Sequence, residues 1–197
     1  MSHQSAKKLP KAARRRQLLD TAITIVRDEG ADALTLGHLA ERAGVSKPVA
    51  YEHFGTRAGL LVALYREIDE RHVTAFLEAL QRTQPRLDAI AQVVSKAYMH
   101  CYASVGPEWH AIAAALKGDE QMDATQQELI DRYVAIYRDA LAPFSRLSPE
   151  DLYLRCVGII GAAEAMSRDM IRGRTDETNA AANLAALIVN TVGANGG

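Results

Sequence analysis

One short stretch, residues 35–57 (TLGHLAERAGVSKPVAYEHFGTR), constrains the fold of this chain more than any other. Its apolar residues recur with the period of a helix stripe over 36–43, and Gly44 stands where a left-handed residue would end that helix. Ser46 can cap a second helix with its hydroxyl, and Pro48 fits the first turn of that helix. Two short helices across a tight glycine-containing turn are typical of a helix-turn-helix, whose second helix enters the major groove of DNA.

The framework of this stretch resembles that of a known family. After a first helix the chain reads T-x-x-x-LA-x-x-AGVS-K-P-x-x-Y-x-HF-x-x-R-x-x-L. This pattern is similar to the DNA-binding domain of TetR-type transcriptional regulators, and the match runs from about Arg15 to about Leu64. The Y-x-HF ending is more selective than the AGVS turn, which many helix-turn-helix proteins share. The resemblance implies an all-α fold, with an N-terminal three-helix DNA-binding domain and a C-terminal helical ligand-binding and dimerisation domain.

The rest of the chain is predicted to be helical, because no alternating strand pattern and no repeat occurs. We expect about nine helices, at about 12–29, 36–43, 47–54, 57–82, 86–104, 108–118, 122–142, 149–171 and 177–192. Three regions follow from this layout. They are a basic disordered arm at 1–12, a DNA-binding domain at 13–60 whose fourth helix continues as a connector to about 82, and a C-terminal domain at 83–197.

Charge is distributed unevenly along the chain. The net charge is −1, yet residues 1–66 hold 11 Lys and Arg against 6 Asp and Glu, while residues 67–197 hold 12 against 18. Such asymmetry is typical of a basic nucleic-acid-binding head on an acidic body. The arm at 1–12 either lies along DNA or is a solvated tail, and both interpretations stay open.

The residues expected to contact DNA follow from the family pattern and from side-chain chemistry. They are Thr35, Ser46, Lys47, Pro48, Val49, Tyr51, His53 and Arg57. Lys47 is expected to read bases, since lysine can donate to O6 and N7 of guanine, and Pro48 and Val49 suit a thymine methyl group.

Other members of this set are expected to hold the DNA backbone. Thr35 caps the first helix of the pair and, by resemblance, bonds to a phosphate, as do Tyr51, His53 and Arg57. For His53 the alternative is an ordinary surface or core histidine. Gly37 departs from the family, several members of which carry a long basic or polar side chain there, so we expect the readout to depend more on Lys47 and on the N-terminal arm.

The last two predicted helices carry small residues at helical spacing, which lets helix axes come close together. One interpretation is a tight packing seam within the chain. The resemblance implies instead that these helices pair with those of a second copy in a four-helix interface. The expected dimer residues are Gly158, Gly161, Ala162, Ala165, Leu184, Leu187 and Ile188.

The resemblance also implies a small-molecule effector site in the C-terminal domain. Its candidate residues are aromatic, polar or flexible: Tyr98, Tyr102, Trp109, His110, Tyr137, Glu164 and Met166. Residues of these types at helical spacing also suit an ordinary core, which remains the alternative. The aromatic content favours an apolar or ring-bearing compound. A metal site at His100, Cys101 and His110 lacks ligand-like spacing, so neither a metal nor a cofactor is expected.

Several classes of protein are disfavoured by what the sequence lacks. It has no nucleophile elbow, HExxH motif, glycine-rich phosphate loop or paired catalytic carboxylates, so no enzyme is expected. Its two cysteines, with no signal peptide and no membrane-length apolar run, favour a cytoplasmic protein that does not associate with membranes. The sequence therefore predicts a homodimeric transcriptional regulator, most simply a repressor released from a palindromic double-stranded operator by a small-molecule inducer. The alternative is a ligand-independent DNA-binding or nucleoid-associated factor of the same fold.

Overall fold

The computed structural model describes residues 9–104, 112, 114–116 and 118–193. Its α-helices are α1 Lys11–Glu29, α2 Leu36–Arg42, α3 Lys47–Phe54, α4 Arg57–Gln81, α5 Leu87–Ser104, α6 Glu120–Leu141, α7 Pro149–Ile171 and α8 Glu177–Val192. Short 3₁₀ helices lie at Ala31–Ala33 and Ala142–Phe144. No strand occurs within the described ranges, and the fold class is all-α, as predicted. The arm before residue 9, most of the helix predicted at about 108–118, and with it Trp109 and His110, lie outside the described residues.

The described part of the chain forms two compact units. One lies within residues 1–69 and 107–122, and the other within 70–106 and 123–197. The sequence-based division assigned 107–122 to the C-terminal domain. In the structure, the buried side chains of Ile112, Leu116 and Met122 instead belong to the hydrophobic core of the first unit.

The core of the first unit forms where the apolar stripes of its helices meet. Leu18 and Ile25 of α1, Leu39 of α2 and Leu60 of α4 are fully buried in one cluster. Between α2 and α3 the chain reverses at Gly44, whose φ of +65° is the left-handed conformation predicted for it. The turn therefore has the geometry of a helix-turn-helix.

The second unit has its own core, to which α5, α6, α7 and α8 contribute. The ring of Phe76 meets that of Tyr137 edge-on, with centroids 5.9 Å apart. The Ser148 side chain accepts a hydrogen bond from the amide of Asp151 at 3.0 Å and so caps α7. Asp176 caps α8 in the same way through the amide of Asn179.

No helix in the described ranges has the length and hydropathy that crossing a bilayer requires.

Candidate nucleic-acid interface

Two faces of α3 have opposite environments. Ala50 is fully buried and Phe54 is 8 % exposed, so both belong to the core of the first unit. Among the predicted DNA contacts of this helix, Lys47, Pro48 and Tyr51 are exposed on the other side. His53 is half-buried, and so is Val49, which packs against the core of the first unit. With 54 % of its surface exposed, Tyr51 is not part of the core. The buried pair therefore anchors the helix and leaves one side open to a partner.

Ser46 stands at the N-cap of α3, but the prediction that its hydroxyl caps the helix is wrong. No capping hydrogen bond reaches the side chain. Pro48 has no amide proton to offer, and the amide of Val49 donates to the backbone carbonyl of Ser46 at 3.0 Å. The exposed hydroxyl of Ser46 is therefore not used to cap the helix.

Thr35 caps α2 as predicted. Its Oγ1 accepts a hydrogen bond from the amide of His38 at 3.1 Å, and the residue is exposed. Because a hydroxyl can accept and donate at once, the cap leaves the Thr35 proton available to an external acceptor such as a phosphate.

The end of α1 holds α2 through one carboxylate. One carboxylate oxygen of Glu29, Oε2, lies 2.9 Å from Nε2 of His38, and the other, Oε1, accepts a hydrogen bond from Nη1 of Arg42. His38 and Arg42 are one turn apart on α2, so a single side chain fixes the rotation of that helix.

The start of α1 holds the end of α3. Nη1 of Arg15 donates to the backbone carbonyl of His53 at 3.0 Å, and its guanidinium carbon lies 5.0 Å from the centre of the Phe54 ring. Nearby, Lys11 forms an exposed ion pair with Glu52 at 3.6 Å. The negative charge that Glu52 adds to α3 is therefore partly offset.

The environment of His53 favours its neutral form. Partial burial lowers its pKa below 6.5, and the positive charges of Lys11, Arg15 and Arg14 act in the same direction, while Glu52 opposes them. A phosphate close to His53 would reverse this balance, because an anion stabilises the protonated ring.

Arg57 is already engaged within the fold. Its Nε donates to the backbone carbonyl of Leu34 at 2.8 Å and its Nη2 to that of Ala31 at 2.7 Å, with Asp32 Oδ1 at 3.7 Å from Nη2. These bonds tie the start of α4 to the connection between α1 and α2. These bonds use two of the five N–H groups of Arg57 and leave the others able to donate to a phosphate. The phosphate contact expected of Arg57 stays a prediction.

The predicted dimer residues fall into two environments. On α7, Gly158, Gly161 and Ala165 are exposed and Ala162 is half-buried. Leu184 and Ile188 of α8 are fully buried in the core of the second unit, while Leu187 is half-buried. The assignment of Leu184 and Ile188 to a surface is therefore wrong, because the face of α8 that carries them packs inside the chain.

The described effector candidates are only partly brought together. Tyr98 and Tyr102 stack one turn apart on α5, with ring centroids 5.2 Å apart, and burial raises the pKa of both phenols above 10. Tyr137 is almost completely buried, and Met166 is half-buried against the same core. Glu164 is exposed and pairs with Arg168 at 2.7 Å.

For the suggested metal site, the described residues contain no group of three or more His, Cys, Asp or Glu side chains that could hold a metal ion. Nδ1 of His100 lies instead 3.2 Å from Oε1 of Glu177.

Comparison with known proteins agrees with the geometry of the first unit. Residues 18–64 match the family model described as "Bacterial regulatory proteins, tetR family". Over 76 residues the chain is 38 % identical to the HTH-type transcriptional activator FasR of Mycolicibacterium smegmatis, a match that covers 39 % of this chain and 35 % of that protein. The structure of a TetR-like transcriptional regulator from Rhodococcus sp. RHA1 superposes with a TM-score of 0.64, covering 93 % of this chain and 97 % of the other at 21 % identity. The DNA-binding segment of the chain, residues 18–64, therefore belongs to the TetR family.

Two further similar proteins are less identical to this chain than FasR is. The regulator BetI of Rhizobium meliloti is 28 % identical over 127 residues, which are 63 % of this chain and 58 % of that protein. The matched segment thus spans about a third of FasR and under three fifths of BetI. FadR of Bacillus subtilis, solved with stearoyl-CoA, gives a TM-score of 0.69 at 16 % identity, covering 90 % of this chain and 98 % of that structure. At that identity the likeness supports the fold alone.

Proposed function

We propose that this TetR-family protein is a dimeric, sequence-specific DNA-binding transcriptional regulator, most simply a repressor that a small-molecule inducer releases from a palindromic operator. The observation that carries the proposal is the two-sided environment of α3. Ala50 and Phe54 bury one side while Lys47, Pro48 and Tyr51 are open on the other. A helix anchored in this way can enter the major groove without unfolding its support. Such a regulator acts in the cytoplasm.

Within this proposal the exposed residues divide the work by chemistry. Lys47 donates to guanine, and Pro48 and Val49 contact a thymine methyl group. Thr35, Tyr51 and His53 donate to phosphates and set the register of the protein on the duplex. Ser46, with its hydroxyl free of the cap, adds a further donor at the start of α3. Arg57 acts first by positioning the loop before α2.

The proposed dimer forms through the exposed side of α7. Leu154 and Val157 are 64 % and 41 % exposed there, beside the exposed Gly158 and Gly161. A Cβ built on either glycine would meet nothing within 4 Å, so another helix can approach that backbone closely. A symmetric pair would place two copies of α3 about 34–36 Å apart, which calls for a palindromic site.

The proposed effector is an apolar or ring-bearing small molecule. The stacked Tyr98 and Tyr102, partly buried beside the apolar core, support this class. Known relatives in structure include FadR with stearoyl-CoA and RolR with resorcinol. A dimer can space its two recognition helices so that they fit the operator or so that they do not. An effector that binds one of these two states more tightly would change operator affinity by the ratio of its own affinities for the two states. The alternative is a ligand-independent DNA-binding factor of the same fold, for which no metabolite would raise the melting temperature.

The test is a selection of binding sites from random duplex DNA with the purified protein. A palindromic consensus is expected, and failure to enrich one would refute the proposal. On that site, Lys47→Ala should relax the base preference at one position of each half-site, whereas Tyr51→Phe should weaken all sequences about equally. If a dimer neutralises about ten phosphates, its affinity should fall about 10⁵-fold between 50 and 200 mM salt.

A further inference from the structure

The side chain of Lys47 lies against a residue that has no side chain. A Cβ built on Gly37, the second residue of α2, would lie 3.6 Å from Cε and 4.0 Å from Nζ of Lys47, and 3.9 Å from Oγ1 of Thr35. The end of the Lys47 side chain therefore occupies the space that a longer side chain at position 37 would enter.

Nothing polar fixes the Lys47 ammonium at that place. Within the described ranges it has neither an ion-pair nor a hydrogen-bond partner, although Lys11 and Arg42 on the same unit both form ion pairs. Lys47 is exposed, so its position is set by the shape of the surface beneath its methylene groups. An unpaired ammonium can be turned toward an external acceptor without breaking any bond in the protein.

We infer that Gly37 is a specificity-determining residue, because its missing side chain leaves room for Lys47 to reach a guanine along the surface of α2. Positions 37 and 47 then share one DNA-facing space, in which only one long side chain fits. This inference rests on the proposed function and deepens it. It also gives a physical reason why a chain with lysine at position 47 has glycine at position 37.

The distances indicate which substitutions should matter. A methyl group at position 37 would make ordinary van der Waals contact with Lys47, at 3.6 Å. Gly37→Ala is therefore the matched control, since it adds a Cβ and removes the backbone freedom of glycine without displacing Lys47. Gly37→Leu adds three more carbons that must enter the occupied space, and Gly37→Gln does so with a polar end suited to this half-buried position.

The experiment measures dissociation constants of the full chain for the selected operator and for duplexes with a single base-pair change in each half-site. Gly37→Ala should keep the preference of the wild type. Gly37→Leu should lose the preference at the same base pair as Lys47→Ala, on the order of 10- to 100-fold for a lost bidentate lysine–guanine contact. The double variant Gly37→Leu/Lys47→Ala should be no less selective than Lys47→Ala alone.

Two results would overturn the inference while leaving the proposed function intact. One is a loss at different base pairs for the two single variants. The other is a double variant whose loss of selectivity is the product of the two single losses. Melting temperatures identify a folding defect, and if Gly37→Leu has one, the same comparison is made with Gly37→Gln. A wild-type protein that selects no operator would instead refute the proposed function, and this inference with it.

Discussion

Replacing Arg57 tests whether this side chain supports the fold or holds a phosphate. Its guanidinium donates to two backbone carbonyls, those of Ala31 and Leu34, at 2.7 and 2.8 Å. Leu34 is fully buried and Ala31 is 7 % exposed, so water can replace the arginine there only in part. Arg57→Met keeps most of the aliphatic packing and removes both bonds. Arg57→Lys keeps the charge but cannot reproduce the planar pair of donors.

The two bonds set the expected magnitude. A hydrogen bond from a charged donor contributes about 1.5–3 kcal/mol to stability when its partner is buried. The Arg57 side chain is 38 % exposed, which reduces that contribution. We therefore expect Arg57→Met to lower the free energy of unfolding by about 2–3 kcal/mol. Arg57→Lys, which can keep one bond, should lower it by about 1–2 kcal/mol.

The assay combines urea unfolding with operator binding over a range of salt concentrations. If Arg57 positions the loop, both variants lose stability, and Arg57→Lys keeps the wild-type slope of log affinity against log salt. If Arg57 mainly holds a phosphate, Arg57→Met should reduce that slope by about 0.9 per subunit. The positioning argument is refuted if both variants are as stable as the wild type while Arg57→Met alone shows the reduced slope.

Three further expectations follow from single contacts. Thr35→Ala should lower the free energy of unfolding by about 1 kcal/mol, because the α2 cap is lost. Thr35→Ser keeps a capping hydroxyl and should lose much less. Equal stability of the wild type and both variants would contradict the cap. Burial, aided by the charge of His100, lowers the pKa of His72 below 6.5 in the folded protein. The unfolded chain therefore binds a proton at His72 more readily, and the free energy of unfolding should fall as the pH drops from about 7 to below the folded-state pKa. His72→Gln should flatten this part of the pH profile in urea titrations, and an unchanged profile would exclude His72 as its source. Gly161→Leu should keep the helical circular dichroism of the wild type but weaken the dimer in sedimentation experiments, and an unaltered dimer would place the interface elsewhere.

The parts of the fold that the sequence predicts are those decided by near neighbours. Gly44 takes its left-handed turn and Thr35 caps α2, because each feature is decided within three or four residues of the chain. The bounds of α3, Lys47–Phe54, agree with the prediction for the same reason. Ser46 is the exception, because the amide three residues on, that of Val49, donates to the backbone carbonyl of Ser46 and not to its hydroxyl.

Interactions between distant parts of the chain were not predictable in this way. Arg15 meets the carbonyl of His53 across 38 residues, and no pattern in the sequence joins the two. The same holds for the reach of Arg57 to Leu34 across 23 residues. The apolar stripe of α8 recurs at helical spacing, but the sequence does not tell whether this stripe packs inside the chain or against a second copy. Leu184 was therefore assigned to the dimer interface, although it is buried within the chain.

The division of the cations on the first unit shows why net charge alone describes this surface poorly. Residues 1–66 contain 11 Lys and Arg, a number that by itself suggests a large contact with phosphates. Arg15, Arg42 and Arg57, however, donate to carbonyls or a carboxylate and hold α2, α3 and the start of α4 in place. Lys47 has no such partner within the described ranges. Removing one of the three arginines should therefore disturb every base contact together through the position of the helices, whereas removing Lys47 should change the preference at one base pair and leave the rest of the operator recognised as before.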